Sequence, residues 1–414
     1  MNTGFLLELL GDLHWTFVSV GIVSSMFFAG LVLRARWAPG PDEAIALPPL
    51  SILKPFDGVD PEMDRNFWSY LATPYAAPRE ILFCTAHDNV AGIAAARGAI
   101  ERLRAEPQPG VTARLLVSEP DDTPWVTRKV WHMARGYAAC SHDVIVNGDS
   151  GTRLAPGVLD ALVRTLLADP GRGAAWAPYT VSDARSLGAR LTRVAWTATT
   201  MNFLVVDSMH RFLRSERPLL AGGLFAARRS AIDQLDGFAQ CDGFLTEDLE
   251  VGRRISASGM AVVRSPVPVQ RHLGGLTLGG FYRRQLRWNT ILWRFRDPLR
   301  IPYPLVMCGL AIAPFTCAAA CLAFPGRVRE YLSALAALYV VRWVYSLFLS
   351  VVASGGQPRL ETLLLLPWVD AVMLETWVRG AFVRTITWRG RSLRVERGGR
   401  VTPVQERRGR TTRP

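Results

Sequence analysis

A run of about twenty residues near the N-terminus, His14 to Leu33, contains no Asp, Glu, Lys or Arg. This is the length of an α-helix that crosses the hydrocarbon core of a bilayer, and Arg34 and Arg36 follow it as a basic anchor. A cleaved signal peptide has basic residues before its apolar core, whereas Glu8 and Asp12 occupy that place here. The sequence therefore predicts that residues 1–36 form a retained transmembrane anchor.

Three more apolar stretches follow the long polar region, and they are Ile301 to Phe324, Tyr331 to Ala353 and Leu360 to Val383. The first two are predicted to span the membrane. Arg342 lies inside the second of them and needs a partner within the helix bundle, because an unpaired cation is costly there. Residues 301–383 are therefore predicted to form the C-terminal membrane region.

The last of these stretches contains Glu361, Asp370, Glu375 and Arg379. It is compatible with a spanning, re-entrant or interfacial position. The tail that follows, residues 384–414, holds ten Arg and two Glu. The positive-inside rule assigns such a tail to the cytoplasm, which favours an interfacial or re-entrant position for the stretch and a cytoplasmic polar domain.

The net charge of +13 is consistent with two classes of polyanionic partner, nucleic acids and membrane surfaces. Much of this charge lies beside membrane segments and lacks interleaved aromatic residues, so we expect anionic lipid headgroups and no nucleic acid. Cys84, Cys140 and Cys241 are isolated in the polar region. They form no metal-binding spacing and favour a reducing compartment. The sequence does not indicate the oligomeric state.

Residues 47–300 alternate short β-rich runs with helical patterns, which predicts an α/β domain with a mainly parallel sheet. The predicted strands are Leu50–Leu53, Glu80–Ala86, Ala113–Val117 and Asp143–Asn147. The predicted helices between them are Asp64–Tyr70, Ala91–Arg104 and Lys129–Ala138. Ligands of such sheets bind at the carboxyl ends of the strands.

Two carboxylates follow predicted strands in the sequence. Asp88 comes directly after the second strand and Asp149 after the fourth, where it begins the motif Asp149-Ser150-Gly151. Each residue alone is typical of a turn or helix cap. Together they are suited to a nucleotide diphosphate, with Asp149 as ligand of a divalent cation, because hard cations prefer oxygen ligands.

A second pair of acids, Glu247 and Asp248, opens a predicted helix. The helix dipole favours acids at this position without any catalytic role. The alternative is that Asp248 acts as a general base on an acceptor hydroxyl. His272 is a weaker candidate for a metal ligand, because single histidines are more often structural. Gly222-Gly223 is compatible with a close backbone approach to a sugar or with a simple turn.

The segment Phe281 to Arg300 mixes aromatic and apolar residues with six arginines and leads into the second apolar stretch. It predicts an interfacial amphipathic helix. Arg284, Arg287 and Trp288 within it form an Arg-x-x-Arg-Trp motif. Arginines there are suited to hold a departing diphosphate, and the indole to contact an acceptor.

These motifs together resemble the ceramide glucosyltransferase family, whose members are membrane-bound, inverting glycosyltransferases with a GT-A catalytic domain. The matching segments are Leu53 to Pro61, His87-Asp88, Asp149 to Gly151, Glu247-Asp248, Arg284 to Trp288 and Trp388 to Arg391. Of the family's Asn-Pro-Lys run, this chain keeps only Lys129. The resemblance implies a bacterial-like member, with the cytoplasmic domain at the bacterial inner membrane.

The resemblance implies a role for each matching residue. Asp88 and Lys54 contact the nucleotide, Asp149 binds the metal and the diphosphate, and Asp248 is the base. Arg284, Arg287 and Trp288 close the donor and acceptor site. The implied cofactor is Mg²⁺ or Mn²⁺.

The implied activity is transfer of a hexose, glucose in the family, from a UDP-sugar to a lipid hydroxyl such as that of ceramide. The same chemistry on a hopanoid or diacylglycerol acceptor stays open, as do UDP-N-acetylglucosamine and UDP-glucuronate as donors. The non-enzymatic alternative is a membrane protein that binds sugar nucleotides without catalysis.

Overall fold

The computed structural model of the chain describes residues 3–36, 40–119, 125–199, 201–213, 218–295, 300, 309–354, 359–388 and 391–404. Several segments with predictions lie outside these ranges. They are residues 301–308 of the second apolar stretch, residues 296–299 of the predicted amphipathic helix, and residues 389–390 and 405–414 of the tail.

The described α-helices are, in chain order, α1 (Thr3–Arg36), α2 (Met63–Ala72), α3 (Val90–Ala105), α4 (Arg128–Ala138), α5 (Val158–Leu167), α6 (Leu187–Thr197), α7 (Phe203–Phe212), α8 (Arg229–Asp233), α9 (Glu247–Ala257), α10 (Leu278–Phe295), α11 (Gly309–Ala323), α12 (Val328–Ser354) and α13 (Glu361–Phe382). The described strands are β1 (Leu50–Pro55), β2 (Arg79–Ala86), β3 (Val111–Ser118), β4 (Val144–Gly148), β5 (Thr152–Arg153), β6 (Arg172–Trp176), β7 (Tyr179–Ser182), β8 (Leu224–Arg228), β9 (Ala261–Arg264), β10 (Val269–His272), β11 (Thr385–Trp388), β12 (Arg391–Val395) and β13 (Val401–Pro403). All four strands and all three helices predicted between Leu50 and Asn147 are present close to their predicted bounds.

Seven strands form the central sheet in the order β3-β2-β1-β4-β8-β6-β9. Strand β8 runs antiparallel to both of its neighbours, and the other pairings are parallel. Strands β1, β2 and β4 are buried at every position, as expected for parallel strands covered on both faces. The predicted mainly parallel α/β sheet is therefore confirmed.

Alternate side chains of the sheet pack into two separate cores. Ile81 and Phe83 of β2 point towards α2, α3 and α5, where Phe67 is part of the same cluster. Leu82 points to the other face and packs with residues of α4 and α9, including Val130. Helices on both faces leave the carboxyl ends of the strands as the open edge of the domain.

A small second sheet lies beside that edge, with the strand order β5-β10-β7. Strand β10 pairs with β5 in antiparallel fashion and with β7 in parallel fashion. This pairing brings Arg271 of β10 and Tyr179 of β7 next to the loop that follows β4.

Two helical segments are long and apolar enough to cross a membrane, judged by length and composition. They are Glu8–Ala35 and Pro325–Val352, each of 28 residues, with mean hydropathies of 2.1 and 1.8. Helix α11 is a shorter apolar helix. Helix α1 packs against both α11 and α12, so these helices form one bundle.

Helix α13 packs against α6 and α10, and its polar residues have protein partners. Asp370 accepts hydrogen bonds from Arg342 at 3.4 Å, so the partner that Arg342 requires is present. Glu361 pairs with Arg193, Glu375 accepts a hydrogen bond from the Tyr282 hydroxyl at 3.0 Å, and Asn289 donates to Thr376 at 2.8 Å. The charged and polar side chains of α13 therefore attach this helix to the neighbouring helices.

The first part of the basic tail forms a three-stranded antiparallel sheet, β11-β12-β13, which we call the C-terminal sheet (residues 385–388 and 391–403). Leu393, Val395 and Val401 are buried in a cluster with Leu245 and Ile291. No secondary structure was predicted for this segment.

We expect Asp370→Ala to lower the free energy of unfolding by about 3–5 kcal/mol, because it leaves the Arg342 guanidinium buried without a counter-charge. The side chains of Arg342 and Asp370 are only 2% and 0% exposed. Thermal unfolding of the detergent-solubilised protein measures the effect.

Glu375→Ala is the control on the same helix, since the Glu375–Arg379 pair is exposed and such pairs contribute about 1 kcal/mol or less. The double variant Arg342→Met/Asp370→Leu should recover most of the loss, because it removes both charges. Equal unfolding temperatures for Asp370→Ala and Glu375→Ala would show that Asp370 does not stabilise the fold as the counter-charge of Arg342.

Candidate active site

A cavity of about 230 Å³ lies at the carboxyl ends of β1 and β4, between the start of α9, one face of α10 and the C-terminal sheet. Six cationic side chains line it, from Arg128, Lys129, Arg271, Arg284, Arg287 and Arg391. Four carboxylates line it as well, from Asp57, Asp149, Glu247 and Asp248. The cavity therefore carries an excess of positive charge.

Asp149 lies directly after β4, and its backbone N–H donates to the carbonyl oxygen of Gly223 at 2.9 Å. Its two carboxylate oxygens face different cations: Oδ1 lies 2.6 Å from Lys129 Nζ, and Oδ2 lies 3.3 Å from Arg271 Nη1. Burial disfavours the ionised form, but Lys129 and Arg271 outweigh it and lower the pKa of Asp149 to about 2. Asp149 is therefore a permanent anion in the cavity wall.

Lys129, in the first turn of α4, connects the acids of the cavity. Its ammonium lies 2.6 Å from Asp149 Oδ1 and 2.6 Å from Glu247 Oε1. Burial favours the neutral amine, but the carboxylates of Asp149, Glu247 and Asp248 together raise the pKa of Lys129 well above its usual value. The ammonium is the shared counter-charge of these carboxylates.

Asp248 lies in the first turn of α9, with Thr246 as the N-cap residue. Its Oδ2 accepts a hydrogen bond from the backbone N–H of Gly222 at 2.7 Å, and its Oδ1 accepts one from Leu249 at 2.9 Å. Burial and the neighbouring charge of Glu247 raise the pKa of Asp248 to about 7, against the smaller effect of Lys129. Asp248 is therefore able to exchange a proton near neutral pH.

The glycine pair Gly222-Gly223 makes room for two groups of the site. A β-carbon at Gly222 would lie 2.7 Å from Asp248 Oδ2, and one at Gly223 would lie 1.8 Å from the Tyr179 ring. Neither position has space for a side chain. The pair is thus explained by close packing against Asp248 and Tyr179.

Arg284, Arg287 and Trp288 lie on the same face of α10 and all line the cavity, as the motif predicts. The Arg284 guanidinium lies 5.2 Å from the centre of the Trp196 ring, and its Nη1 is buried without a hydrogen-bond partner among the described residues. Burial and the charges of Arg271 and Arg287 lower the pKa of Arg284. Because guanidinium stays charged in proteins, this clustering favours binding of an anion.

Lys54 and Asp88, the two residues expected to contact a nucleotide, are not among the residues that line the cavity. Lys54 is fully buried beneath it, where its ammonium donates to the carbonyl oxygen of Asp149 at 2.5 Å and lies 3.5 Å from the centre of the Tyr70 ring. Asp88 is half-exposed and pairs with Arg128, which does line the cavity. Lys54 and Asp88 therefore contact residues that line the cavity, Asp149 and Arg128, without lining it themselves.

The carboxylates around Lys129 form a donor set that fits a divalent cation. Asp149 Oδ1 and Glu247 Oε1 converge on the Lys129 ammonium, and carboxylate oxygens are ligands that Mg²⁺ and Mn²⁺ prefer. Ser150 and Gly151 add no second carboxylate to the motif. A divalent cation held by Asp149 would have to displace the Lys129 ammonium from this carboxylate.

A different group of potential ligands consists of Glu62, Asp183 and His272, whose ligand atoms lie within 4.8 Å of one another. Arg153 lies 2.7 Å from Glu62 and Arg185 lies 2.6 Å from Asp183, so both carboxylates already have cationic partners. His272 Nδ1 lies 3.8 Å from Glu62, and its Nε2 lies 3.0 Å from the Ser182 hydroxyl, so both ring nitrogens have neighbours in or beside this group.

Four cationic residues of the cavity had no predicted role, namely Arg128, Lys129, Arg271 and Arg391. Lys129 was visible as the remnant of a family motif. Arg271 lies on a short strand that was not predicted, and Arg391 ends a family match more than a hundred residues after the Arg-x-x-Arg-Trp motif. Only the three-dimensional fold brings these residues together.

Comparison with known proteins agrees with the motifs. The family model for glycosyl transferase family 21 matches residues 15–401. Ceramide glucosyltransferase 1 of Caenorhabditis elegans is 22% identical over 406 residues, which cover 96% of this chain and 81% of that protein. The ceramide glucosyltransferase of Komagataella phaffii is 35% identical over 130 residues, covering 30% of this chain and 24% of that protein.

Among solved structures, the mannosyltransferase PcManGT of Pyrobaculum calidifontis, in complex with GDP-Man and Mn²⁺, has a TM-score of 0.46. It is 16% identical, and the match covers 88% of this chain and 98% of that chain. The mixed sheet described above and the family match, which spans most of the chain, agree with the predicted GT-A fold class. The chain belongs to glycosyl transferase family 21, the family of the ceramide glucosyltransferases.

Proposed function

We propose that this glycosyltransferase moves a hexose, glucose in the first instance, from a UDP-sugar to a lipid hydroxyl such as that of ceramide, with inversion at the anomeric carbon. The observation that carries the proposal is the cavity itself. It combines a carboxylate of raised pKa, Asp248, with clustered arginines and with an aromatic wall.

Asp248 is the proposed general base. The acceptor oxygen attacks the anomeric carbon, the bond from that carbon to the diphosphate oxygen breaks, and the hydroxyl proton moves to Asp248. A base is most effective when its pKa lies near the working pH, and a pKa of about 7 meets this condition. The hydrogen bond donated by the backbone N–H of Gly222 holds the Asp248 carboxylate in position.

The leaving diphosphate needs positive charge rather than a proton. Arg284 and Arg287 supply it from α10, whereas Arg271 is paired with Asp149. Fixed cations in a partly buried cavity stabilise the developing charge without reorganisation. When bound at Asp149, a divalent metal would supply Lewis-acid neutralisation of the same diphosphate.

The acceptor is proposed to be a lipid because the far wall of the cavity is aromatic and apolar. Tyr179 stacks on Trp196 with ring centres 5.8 Å apart, and Phe203 lies 4.8 Å from Tyr179. Helix α10 continues from the cavity towards the helix bundle and packs on α13. A lipid hydroxyl at the membrane surface would therefore enter the cavity along this aromatic wall.

The membrane arrangement is part of the proposal. We take residues 1–36 as an anchor, residues 47–300 as a cytoplasmic catalytic domain, and residues 301–383 as membrane segments, with α13 interfacial or re-entrant. The basic excess of residues 384–414 supports a cytoplasmic location and contact with anionic headgroups. The bacterial inner membrane remains the expected location.

We expect Asp248→Asn to lower kcat by about 10²- to 10⁴-fold, because the acceptor proton then has no base. The UDP affinity should stay within about twofold, since Asp248 does not contact the diphosphate. Asp236→Asn is the control, an exposed acid outside the cavity in a backbone conformation that Asn tolerates. Equal turnover in both variants would refute the role of Asp248.

The pH dependence of turnover should have an acidic limb near pH 7, because Asp248 accepts a proton only in its ionised form and its pKa is raised to about 7. Turnover therefore rises with pH through this region. Glu247→Gln removes a like charge and should move the limb to lower pH, whereas Lys129→Met removes a cation and should move it to higher pH. Shifts in the same direction would contradict the assignment.

The acceptor is tested with membranes that contain the chain, labelled UDP-glucose and ceramide. We expect a labelled β-linked glycolipid whose mass identifies the acceptor. A product formed with diacylglycerol or a hopanoid instead, or from UDP-N-acetylglucosamine or UDP-glucuronate, would keep the chemistry and change the substrate. Saturable UDP-glucose binding without release of UDP would indicate a non-catalytic protein.

A further inference from the structure

We infer that the C-terminal sheet is a wall of the donor site and that Arg391 binds the diphosphate of the sugar nucleotide. The inference rests on the proposed function and adds a segment of the basic tail to the substrate-binding surface. It assigns a role to Arg391, which the sequence had placed only in a family match, Trp388 to Arg391, and in a basic tail expected to contact lipid headgroups.

Backbone hydrogen bonds attach the C-terminal sheet to the segment that precedes α9. Val401 N–H donates to the carbonyl oxygen of Gly243 at 2.7 Å, and Leu245 N–H donates to that of Gly399 at 3.2 Å. Phe244 and Arg400 form an isolated antiparallel bridge. The sheet is therefore continuous with the chain that leads directly to Glu247 and Asp248.

The sheet is also attached to α10. Arg294 donates to the carbonyl oxygen of Val383 at 2.8 Å, just before β11. The Phe295 ring lies so close to Gly399 that a β-carbon there would be 2.1 Å from it. The sheet is thus fixed between the two elements that carry Asp248 and the Arg-x-x-Arg-Trp motif.

The alternation of side chains along β12 determines which of its arginines faces the cavity. Leu393 and Val395 are buried against Leu245 and Ile291, and Arg391 is on the same face because it is two residues before Leu393. Arg391 and Leu393 both line the cavity. Arg391 is itself exposed, and Arg394 is exposed on the opposite face of the strand.

The charge of Arg391 is available for a ligand. The carboxylates of the described residues form no ion pair with it, whereas Lys129 and Arg271 are each within 3.3 Å of Asp149. Arg391 lines the same cavity as Arg284 and Arg287. A guanidinium in this position matches the oxygens of a diphosphate, which it can bind through two parallel hydrogen bonds.

The test measures the affinity of the full-length protein for UDP and UMP. In Arg391→Ala we expect the UDP affinity to fall by about 10- to 100-fold, the equivalent of one lost charge-assisted contact. The UMP affinity should change by less than about threefold, because the contact is assigned to the diphosphate. Arg391→Lys keeps the charge but loses the two parallel N–H donors of the guanidinium, so its UDP affinity should lie between those of Arg391→Ala and wild type.

Arg394→Ala is the matched control, since it removes the same charge from the other face of β12 and should leave both affinities unchanged. Thermal unfolding of all variants separates loss of binding from loss of the sheet. If wild type binds UDP and Arg391→Ala matches Arg394→Ala, the role of Arg391 is refuted and the proposed function is retained. A wild type without UDP affinity refutes the proposed donor and this inference with it.

Lipid headgroups offer similar oxygens, so binding to vesicles of phosphatidylglycerol and phosphatidylcholine forms the second arm. We expect Arg391→Ala and Arg394→Ala to lower vesicle binding equally. A selective loss of vesicle binding in Arg391→Ala, with UDP affinity unchanged, would assign Arg391 to the membrane and overturn the inference.

Discussion

The contact on which the cavity depends is the ammonium of Lys129 between Asp149 and Glu247, at 2.6 Å from each carboxylate. Without this shared cation, Asp149, Glu247 and Asp248 would repel one another at the open edge of the sheet. With it, Asp149 stays ionised while Asp248, which has no direct ion pair with Lys129 among the described contacts, keeps a pKa near 7. One lysine thus allows adjacent carboxylates to have different protonation behaviour.

The arginines provide the complementary half of the electrostatics. Arg271 is neutralised by Asp149, whereas Arg284 is stacked over Trp196 and has a buried nitrogen without a hydrogen-bond partner. Like charges in a partly desolvated space are unfavourable unless an anion enters. A bound diphosphate would relieve this repulsion between the arginines of the cavity.

The sequence predicted elements whose signals are local. The apolar runs of β1, β2 and β4, the acids after strands and the Arg-x-x-Arg-Trp motif could be read from neighbouring residues. The partners of Asp149 could not, because Arg271 reaches it through the pairing of β10 with β5 and β7, over 122 positions of sequence. Arg391 belongs to the family match Trp388 to Arg391, but its place in the cavity could not be predicted, since a basic tail has the composition of a solvated segment whether or not it forms a sheet.

Helix α10 connects the chemistry to the membrane-facing part of the fold. One of its faces presents Arg284 and Arg287 to the cavity, and another meets α13, where Asn289 donates to Thr376 and the Trp293 indole donates to the carbonyl oxygen of Trp377. Because α13 is itself bonded to α12 through Asp370 and Arg342, buried polar contacts connect the helix bundle to the helix that carries the arginines. The position of Arg284 and Arg287 is therefore determined by helix packing, and under the proposed function the same packing would place the donor relative to a lipid hydroxyl.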